Sequence, residues 1–201
     1  MQTTIISLYG GPGTGKSTSA AYLYYVLKTQ GANAELVREY VKDWAWEKRS
    51  FSTYDQLYFL GKQSRRESML YGKADWVVTD SPVLMNAYYA QLYCPPVVAE
   101  GVKASAAGFY QHAEVDGHRH VHVFLKRSKP YNPAGRYQDE KGARELDVGI
   151  RTMLDGMRLK TVECDTTEHG LRNMLTTLML SVPHVVKPLD QSRRHDREGN
   201  G

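Results

Sequence analysis

Residues 4–18 of the 201-residue chain, TIISLYGGPGTGKST, carry the strongest structural signal in the sequence. The first six of these residues are mostly apolar or β-branched, which is typical of a short buried strand. Glycines interrupt the strand, and apolar residues three and four positions apart recur from Lys16 onward. This spacing predicts a helix over residues 16–30 that ends at Gly31. The stretch is therefore predicted to fold as strand, glycine loop and helix.

The glycine loop matches GxxxxGK[ST], the pattern of a phosphate-binding loop, at every fixed position. Its glycines permit positive φ, so successive N–H groups can turn toward phosphate oxygens, and the following helix adds its positive end. Lys16 would reach the β- and γ-phosphates of ATP, and the Ser17 hydroxyl would complete the coordination of Mg²⁺. The predicted ATP-binding residues are Gly10, Gly11, Pro12, Gly13, Thr14, Gly15, Lys16, Ser17 and Thr18.

The rest of the chain alternates between strand and helix patterns. Strands are predicted at residues 34–37, 76–79, 121–125 and 160–165. Helices are predicted at residues 53–71, 83–93, 97–113 and 168–180. This alternation predicts one α/β domain of the P-loop type, with a five-stranded, mostly parallel sheet and helices on both faces. The domain is expected to cover residues 1–186, and a flexible polar tail residues 187–201.

Composition narrows the class of protein. A hydrophobic content of 41% and a charged content of 24% are ordinary for a globular protein, and the two distant cysteines indicate reduced thiols in a cytoplasmic protein. The uncharged stretch 81–99 contains polar side chains and the pair Pro95 and Pro96, so it is not expected to span a membrane. A net charge of +4 suits nucleotides and nucleic acids alike. The sequence leaves the oligomeric state open.

Asp80 directly follows the predicted strand 76–79. Ligands of parallel α/β sheets gather at the carboxyl ends of the strands, so this carboxylate is expected to face the phosphate loop. There it would hold Mg²⁺ or accept the proton of an attacking hydroxyl. The structural alternative is that Asp80 caps the helix that begins near Pro82.

Arg38 and Glu39 follow the predicted strand 34–37 and are expected at the same edge of the sheet. An arginine and a carboxylate in this position would bind phosphate and hydroxyl groups of an acceptor. A solvated surface pair is the alternative interpretation.

A charged segment follows the strand predicted at residues 121–125. The lid expected at residues 127–150 would close over ATP and bring an arginine to the transferring phosphoryl group. Arg136, beside Gly135, is the first candidate for this catalytic role, and Arg144 is the second. The alternative is a solvated helix face of alternating charge.

Five motifs together resemble the small P-loop kinases of the thymidylate-kinase and nicotinamide-riboside-kinase type. The motifs are GGPGTGKST at residues 10–18, VREY at 37–40, VVTDSP at 77–82, FLKRS at 124–128 and NPAGRYQDE at 132–140. The chain looks most like the compact versions in bacteriophages and is similar to 5-hydroxymethyluracil DNA kinases. This resemblance implies ATP and Mg²⁺ at the phosphate loop, Asp80 as base or metal-side carboxylate, Arg38 and Glu39 on the acceptor side, and Arg136 in the lid.

The resemblance leads to a functional hypothesis with stated alternatives. The favoured activity is transfer of the γ-phosphoryl group of ATP to 5-hydroxymethyluracil in phage DNA, and the alternative acceptors are a free nucleoside or nucleotide and nicotinamide riboside. Ser81 and Pro82 follow Asp80, where many nucleoside and nucleotide kinases have Arg and then Tyr or Ser, which favours a less usual acceptor. An ATPase or switch is the rival class, but hydrolytic P-loop proteins commonly place Glu directly after the Asp of this strand.

Overall fold

The computed structural model describes residues 1–128, 131–132 and 139–181. The strands are β1 (Thr4–Tyr9), β2 (Ala34–Val37), β3 (Trp76–Thr79), β4 (Arg119–Lys126) and β5 (Thr161–Asp165). The helices are α1 (Lys16–Thr29), α2 (Lys42–Trp46), α3 (Asp55–Ser68), α4 (Met85–Tyr93), α5 (Pro96–Val115), α6 (Glu140–Gly156) and α7 (Glu168–Leu180). The predicted α/β domain is therefore confirmed, and the predicted bounds of β1, β2, β3 and α7 are correct to the residue.

The five strands form one sheet in the order β2-β3-β1-β4-β5. Every pair is parallel, and β1 lies in the centre, where Ser7 is in register with Thr79 of β3 and His122 of β4. Because all strands run the same way, the residues that follow β1, β2 and β3 meet at one edge of the sheet. That edge holds the phosphate loop, Glu39 and Asp80.

Helices cover both faces of the sheet. On one face α1 and α7 pack against the strands, with Leu23, Leu27 and Leu175 in a common buried cluster. On the other face α4, α5 and α6 bury a second cluster that includes Val102 and Ile150. Every residue of β1 is buried, because a central parallel strand covered on both sides has no solvent face.

Residues 38–55 depart most from the sequence-based expectations. The five-residue helix α2 was not predicted, since it is too short to show a helical period. Ser52 does not cap α3, which begins after Tyr54. Instead, the Ser52 backbone N–H and hydroxyl both donate to the Asp55 carboxylate, at 2.7 and 2.9 Å. This turn closes the loop that leads from α2 into α3.

The predicted lid is described in part. Its residues 140–150 lie in α6, which begins after Asp139, whose carboxylate accepts a hydrogen bond from the Gly142 N–H at 2.8 Å. Arg136 lies outside the described residues, and so does the predicted tail at residues 187–201. Within the described ranges, no helix combines the length and apolar character needed to cross a membrane.

Candidate active site

The phosphate loop connects β1 to α1 and depends on glycine at defined positions. Gly10, Gly13 and Gly15 have φ of 142°, 79° and 96°, a region that L-residues with side chains rarely adopt. A Cβ atom on Gly10 would also lie 2.8 Å from the Thr14 hydroxyl oxygen. The loop is therefore a tight turn that directs its backbone groups by conformations that other residues would strain.

Hydrogen bonds within the loop draw it around the Lys16 side chain. Lys16 Nζ donates to the carbonyl oxygens of Gly10 and Gly11, at 2.6 and 3.0 Å. The buried Thr14 hydroxyl donates to the same Gly11 carbonyl at 2.9 Å. Ser17 is exposed in the first turn of α1, where its hydroxyl accepts a hydrogen bond from Lys42 Nζ at 3.4 Å. The predicted phosphate-loop residues are thus brought together on one short segment.

A pocket of about 290 Å³ opens beside this loop. One wall is formed by the loop and the start of α1, and the other by α2, α3, α4 and the segments between them. Glu39, which follows β2, lines the pocket as well, and the residues of the second wall are Val41, Lys42, Ala45, Trp46, Phe51, Gln56, Phe59, Ser81, Met85, Asn86, Tyr89 and Tyr93. The pocket is close to the lower size limit of small-molecule sites, and its mixture of aromatic rings and a few polar groups is typical of them.

Glu39 and Asp80 are held together at the carboxyl edge of the sheet. The Asp80 carboxylate accepts a hydrogen bond from the Glu39 backbone N–H at 2.8 Å, and Asp80 is only 4% exposed. Glu39 lines the pocket, whereas Asp80 does not. Arg38 is exposed and does not line this pocket, although its carbonyl accepts a hydrogen bond from Arg66. Of the predicted acceptor-side pair, the structure brings only Glu39 to the phosphate loop.

The charges of Lys16 and Glu39 depend on each other. Burial lowers the pKa of the Lys16 ammonium, while the nearby Glu39, Asp80 and Asp147 carboxylates act in the opposite direction. Burial likewise raises the pKa of the Glu39 carboxyl, with a further contribution from Asp80 and opposition from Lys16. A carboxyl with a raised pKa is a stronger proton acceptor than one in water, which is the property required of a general base.

The aromatic wall was largely missed by the sequence analysis. Phe59 is the centre of a cluster in which Trp44 meets its ring edge-on at 4.9 Å and Phe51 at 6.1 Å. Tyr89 stacks on Tyr93 at 6.3 Å, so α4 contributes rings as well. The available signal was the aromatic enrichment of residues 40–59. It could not be distinguished from ordinary core residues, because neither a motif nor a helical period orders it.

Comparisons with known proteins place this geometry in context. The structure is similar to that of a NadR protein in complex with NR, with a TM-score of 0.69, 16% identity, and coverage of 93% of this chain and 54% of that one. It is also similar to a NadR protein in complex with NAD and AMP-PNP, with a TM-score of 0.66, 16% identity, and coverage of 89% and 49%. This chain thus spans about half the length of both proteins. At this identity the likeness establishes a shared P-loop fold.

Sequence comparison gives a consistent result. A search of curated proteins finds no match. The family described as AAA domain matches residues 5–172, from the second residue of β1 into α7. This range includes the phosphate loop, Glu39, Asp80 and the whole described pocket. Because the match covers most of the sequence and the site, the chain belongs to the AAA domain family.

Proposed function

We propose that this protein is an ATP-dependent kinase that transfers the γ-phosphoryl group to a hydroxyl of a nucleoside-like acceptor. The proposal rests on one observation: a pocket lined by aromatic rings and amides opens directly onto the phosphate loop, with the Glu39 carboxylate between them. A phosphate loop alone requires only a bound triphosphate. An acceptor-sized space beside it indicates transfer to a second molecule.

The reaction follows from the positions of these groups. Glu39 takes the proton of the acceptor hydroxyl, and the acceptor oxygen forms a bond to the γ-phosphorus. The bond from that phosphorus to the β–γ bridging oxygen breaks, and ADP leaves with the electron pair. Lys16 and the backbone N–H groups of the loop stabilise the charge on the phosphate oxygens. Asp80 positions Glu39 through the hydrogen bond to its backbone.

The residues around the loop fit a magnesium ion. Mg²⁺ prefers oxygen ligands, and it commonly takes one or two protein ligands together with phosphate oxygens and water. The Ser17 hydroxyl is exposed at the start of α1, and the Asp80 carboxylate lies close enough to Lys16 to affect its pKa. We assign Ser17 as the direct ligand and Asp80 as the metal-side carboxylate. The ion would neutralise charge on the β- and γ-phosphates.

The walls of the pocket support a planar acceptor group. Phe51, Phe59 and Tyr89 present rings to the pocket, and Gln56 and Asn86 add buried amide groups. Rings bind the flat face of a base or a pyridine, and amides recognise the hydrogen-bonding groups along its edge. This combination favours a nucleoside-like molecule over a sugar or an amino acid.

The favoured acceptor is 5-hydroxymethyluracil within phage DNA, as the sequence resemblance implies. The surface around α2 and α3, which also carries Asp43 and the Arg49 ion-pair partner Glu47, supports it because exposed rings alternate there with basic side chains. These residues, the aromatic–basic rim, are Lys42, Trp46, Lys48, Arg49, Tyr54, Tyr58 and Lys62. Tyr54 is 91% and Trp46 62% exposed. Exposed rings stack on bases and lysines contact phosphates, as in proteins that bind single strands.

The alternative acceptors are nicotinamide riboside and other free nucleosides or nucleotides. The observation in their favour is the likeness to the two NadR structures, one of which contains NR and the other NAD and AMP-PNP. The pocket volume of about 290 Å³ also suits one nucleoside. A free acceptor would use the same walls but would not need the aromatic–basic rim.

A phosphoryl-transfer screen tests the proposal. The protein is incubated with ATP, Mg²⁺ and, separately, hydroxymethyluracil-containing DNA, hydroxymethyldeoxyuridine, thymidylate and nicotinamide riboside. Formation of a phosphorylated acceptor with equal ADP supports a kinase. ADP formed at the same rate with and without every acceptor contradicts it and favours the ATPase of the rival class. Glu39→Gln in parallel shows whether the product depends on this site.

Salt dependence distinguishes DNA from a free acceptor. If DNA is the acceptor, its KM rises steeply with salt, because phosphate contacts release counterions on binding. Lys48→Ala and Lys62→Ala in the aromatic–basic rim would reduce that slope. If only nicotinamide riboside or a free nucleoside is phosphorylated, the DNA acceptor is ruled out while the kinase assignment stands.

A further inference from the structure

A buried ion pair braces the outer side of the phosphate loop. Arg127, just after β4, donates from Nε and Nη2 to the same carboxylate oxygen of Asp147 on α6, both at 2.9 Å. The side chains of Arg127 and Asp147 are 6% and 19% exposed. Arg127 belongs to the FLKRS motif at residues 124–128, whereas Asp147 belongs to none of the five motifs. The pair therefore connects two elements that lie apart in the chain, and it does so beside the nucleotide site.

The same two side chains also bind the backbone of the phosphate loop. Asp147 Oδ1 accepts a hydrogen bond from the Gly11 N–H at 2.5 Å, and Arg127 Nη2 donates to the Pro12 carbonyl at 2.9 Å. Helix α6 approaches the phosphate loop so closely that a Cβ atom on Gly11 would lie 2.5 Å from the Ala143 carbonyl oxygen of α6. Gly11 is a variable position of the motif. Glycine is needed here because α6 packs directly on the loop.

These contacts set the orientation of the first peptide unit of the loop. In a trans peptide the N–H and C=O bonds point in opposite directions, and the described residues contain no cis peptide. Because Asp147 holds the Gly11 N–H, the Gly10 C=O is directed to the other side. Lys16 Nζ lies there and donates to that carbonyl at 2.6 Å. Asp147 thus influences where the loop lysine is held, without contacting it.

The same geometry applies two residues later. Arg127 holds the Pro12 C=O, so the Gly13 N–H that shares its peptide unit points away from Arg127. Gly13 lines the pocket, whereas Arg127 does not. The brace therefore turns one N–H group of the loop toward the side where phosphates bind. Correct orientation before binding lowers the entropy cost of holding a nucleotide.

The charges of the pair explain why both members are present. A carboxylate beside the phosphate loop would repel a triphosphate, but the Arg127 guanidinium neutralises Asp147 at hydrogen-bonding distance. An arginine without Asp147 would leave the Gly11 N–H without this partner. Removal of one member of a buried pair costs more than removal of both, because an uncompensated charge remains.

We propose that Arg127 and Asp147 are positioning residues that hold the phosphate loop in its nucleotide-binding orientation and connect α6 to that loop. The proposal rests on the loop as a triphosphate site, which is one part of the proposed function. It does not depend on the acceptor, and nucleotide binding without acceptor tests it separately from phosphoryl transfer.

Three variants test the brace: Arg127→Gln, Asp147→Asn and the double variant. The Kd for ATP with Mg²⁺ is measured by calorimetry without acceptor. Arg127→Gln is expected to weaken binding by about tenfold or more, since it loses the Pro12 contact and leaves Asp147 unpaired. Asp147→Asn is expected to weaken it by about threefold, because an amide oxygen can still accept from Gly11. The double variant is expected to bind ATP more tightly than Arg127→Gln.

Arg151→Gln is the matched control. Arg151 lies on α6, as Asp147 does, and it pairs with a carboxylate, Glu163, away from the loop. Its ATP affinity is expected to equal that of the wild type. Thermal unfolding without nucleotide shows that each variant is folded. An unchanged Kd in both Arg127→Gln and Asp147→Asn overturns the proposal. The proposal is also overturned if the double variant's loss of ATP affinity equals the product of the losses in the two single variants. That result would indicate that each residue contacts ATP directly and independently.

Discussion

The two walls of the candidate active-site pocket are built on different physical principles. The donor wall, named for its proposed role, is a continuous stretch of backbone, residues 10–18, in which three glycines have positive φ and Lys16 donates to the Gly10 carbonyl. The acceptor wall is made of side chains from α2, α3 and α4, which are separated in the chain and meet only through tertiary packing. Glu39 lies between the two walls.

This difference matches the proposed roles of the two walls. The donor wall would bind a triphosphate, which does not vary, and the acceptor wall would recognise an acceptor, which can vary. A triphosphate presents the same oxygens in every reaction, so a rigid backbone loop suits it. An acceptor varies in shape, and rings and amides on helices can be exchanged without disturbing the sheet. The walls should therefore respond differently to substitution: changes in the donor wall alter ATP use, and changes in the acceptor wall alter acceptor KM alone.

Lys16→Met is expected to give the largest effect because it removes the cation of the donor wall. Phosphoryl transfer should fall by about a thousandfold, the scale of losing one preorganised electrostatic contact at a reacting centre. Methionine has a side chain of similar length to lysine, so the fold should persist. Lys28→Met in the last turn of the same helix is the control. Equal rates for the two variants would show that the loop does not serve catalysis.

Glu39→Gln tests the group between the walls. The kcat should fall by about a hundredfold through loss of the proton acceptor, while the Kd for ATP stays within about twofold. Glu35→Gln on β2 is the matched control. A variant that loses ATP binding as strongly as kcat would place Glu39 on the donor wall.

The pH profile sharpens the same test. Glu39 acts deprotonated, so kcat should fall as pH drops through its raised pKa. Lys16 acts protonated, so the rate should also fall as pH rises through its lowered pKa. In Glu39→Gln the acid limb should disappear and the alkaline limb should remain. If kcat of this variant still falls at low pH as in the wild type, a group other than Glu39 causes that fall.

Gln56→Leu tests the acceptor wall by replacing an amide with an apolar side chain of similar size. The KM of the acceptor should rise by about tenfold, the effect of one lost hydrogen bond in a buried site, and the KM of ATP should not change. Gln111→Leu at an exposed position of α5 is the control. A parallel rise in both KM values would show that the walls are not independent.

Glu67→Gln is expected to have the smallest effect on catalysis. Glu67 does not line the pocket, and it stabilises the packing of the helices that form the acceptor wall. Glu67 is 1% exposed on α3 and accepts a hydrogen bond from the Val83 N–H at 3.1 Å, which connects α3 to the start of α4. Burial raises the pKa of its carboxyl to about 8. The folded state therefore prefers the protonated form.

The pH dependence of unfolding checks the role of Glu67. Because its folded pKa is above the unfolded value of 4.5, its contribution to stability is full below pH 4.5 and is lost as pH rises toward about 8. Tm should therefore decline over that range in the wild type and decline less in Glu67→Gln, which cannot ionise. Identical slopes would indicate a Glu67 that is ionised in the folded protein.

How far the sequence predicted each part depends on the range of the interactions involved. The strands β1, β2 and β3 were predicted to the residue, because each is a short apolar run bounded by turn residues. The helix α2 was missed, since five residues show no period. Arg38 was expected at the acceptor site together with Glu39, yet it is exposed outside the pocket. Adjacent residues of an extended chain point in opposite directions, and the sequence does not show which one faces inward.

The sequence by itself determined the phosphate loop, since its signal lies in consecutive residues whose backbone conformations follow from glycine. It also determined the α/β class, through the alternation of strand and helix patterns. Only the tertiary structure decided that Glu39 rather than Arg38 lines the pocket beside the loop, that rings from α3 and α4 line it too, and that Arg127 and Asp147 bind the backbone of Gly11 and Pro12. Some of these contacts join residues more than a hundred positions apart, and others depend on the direction of a side chain. A local sequence pattern predicts neither property.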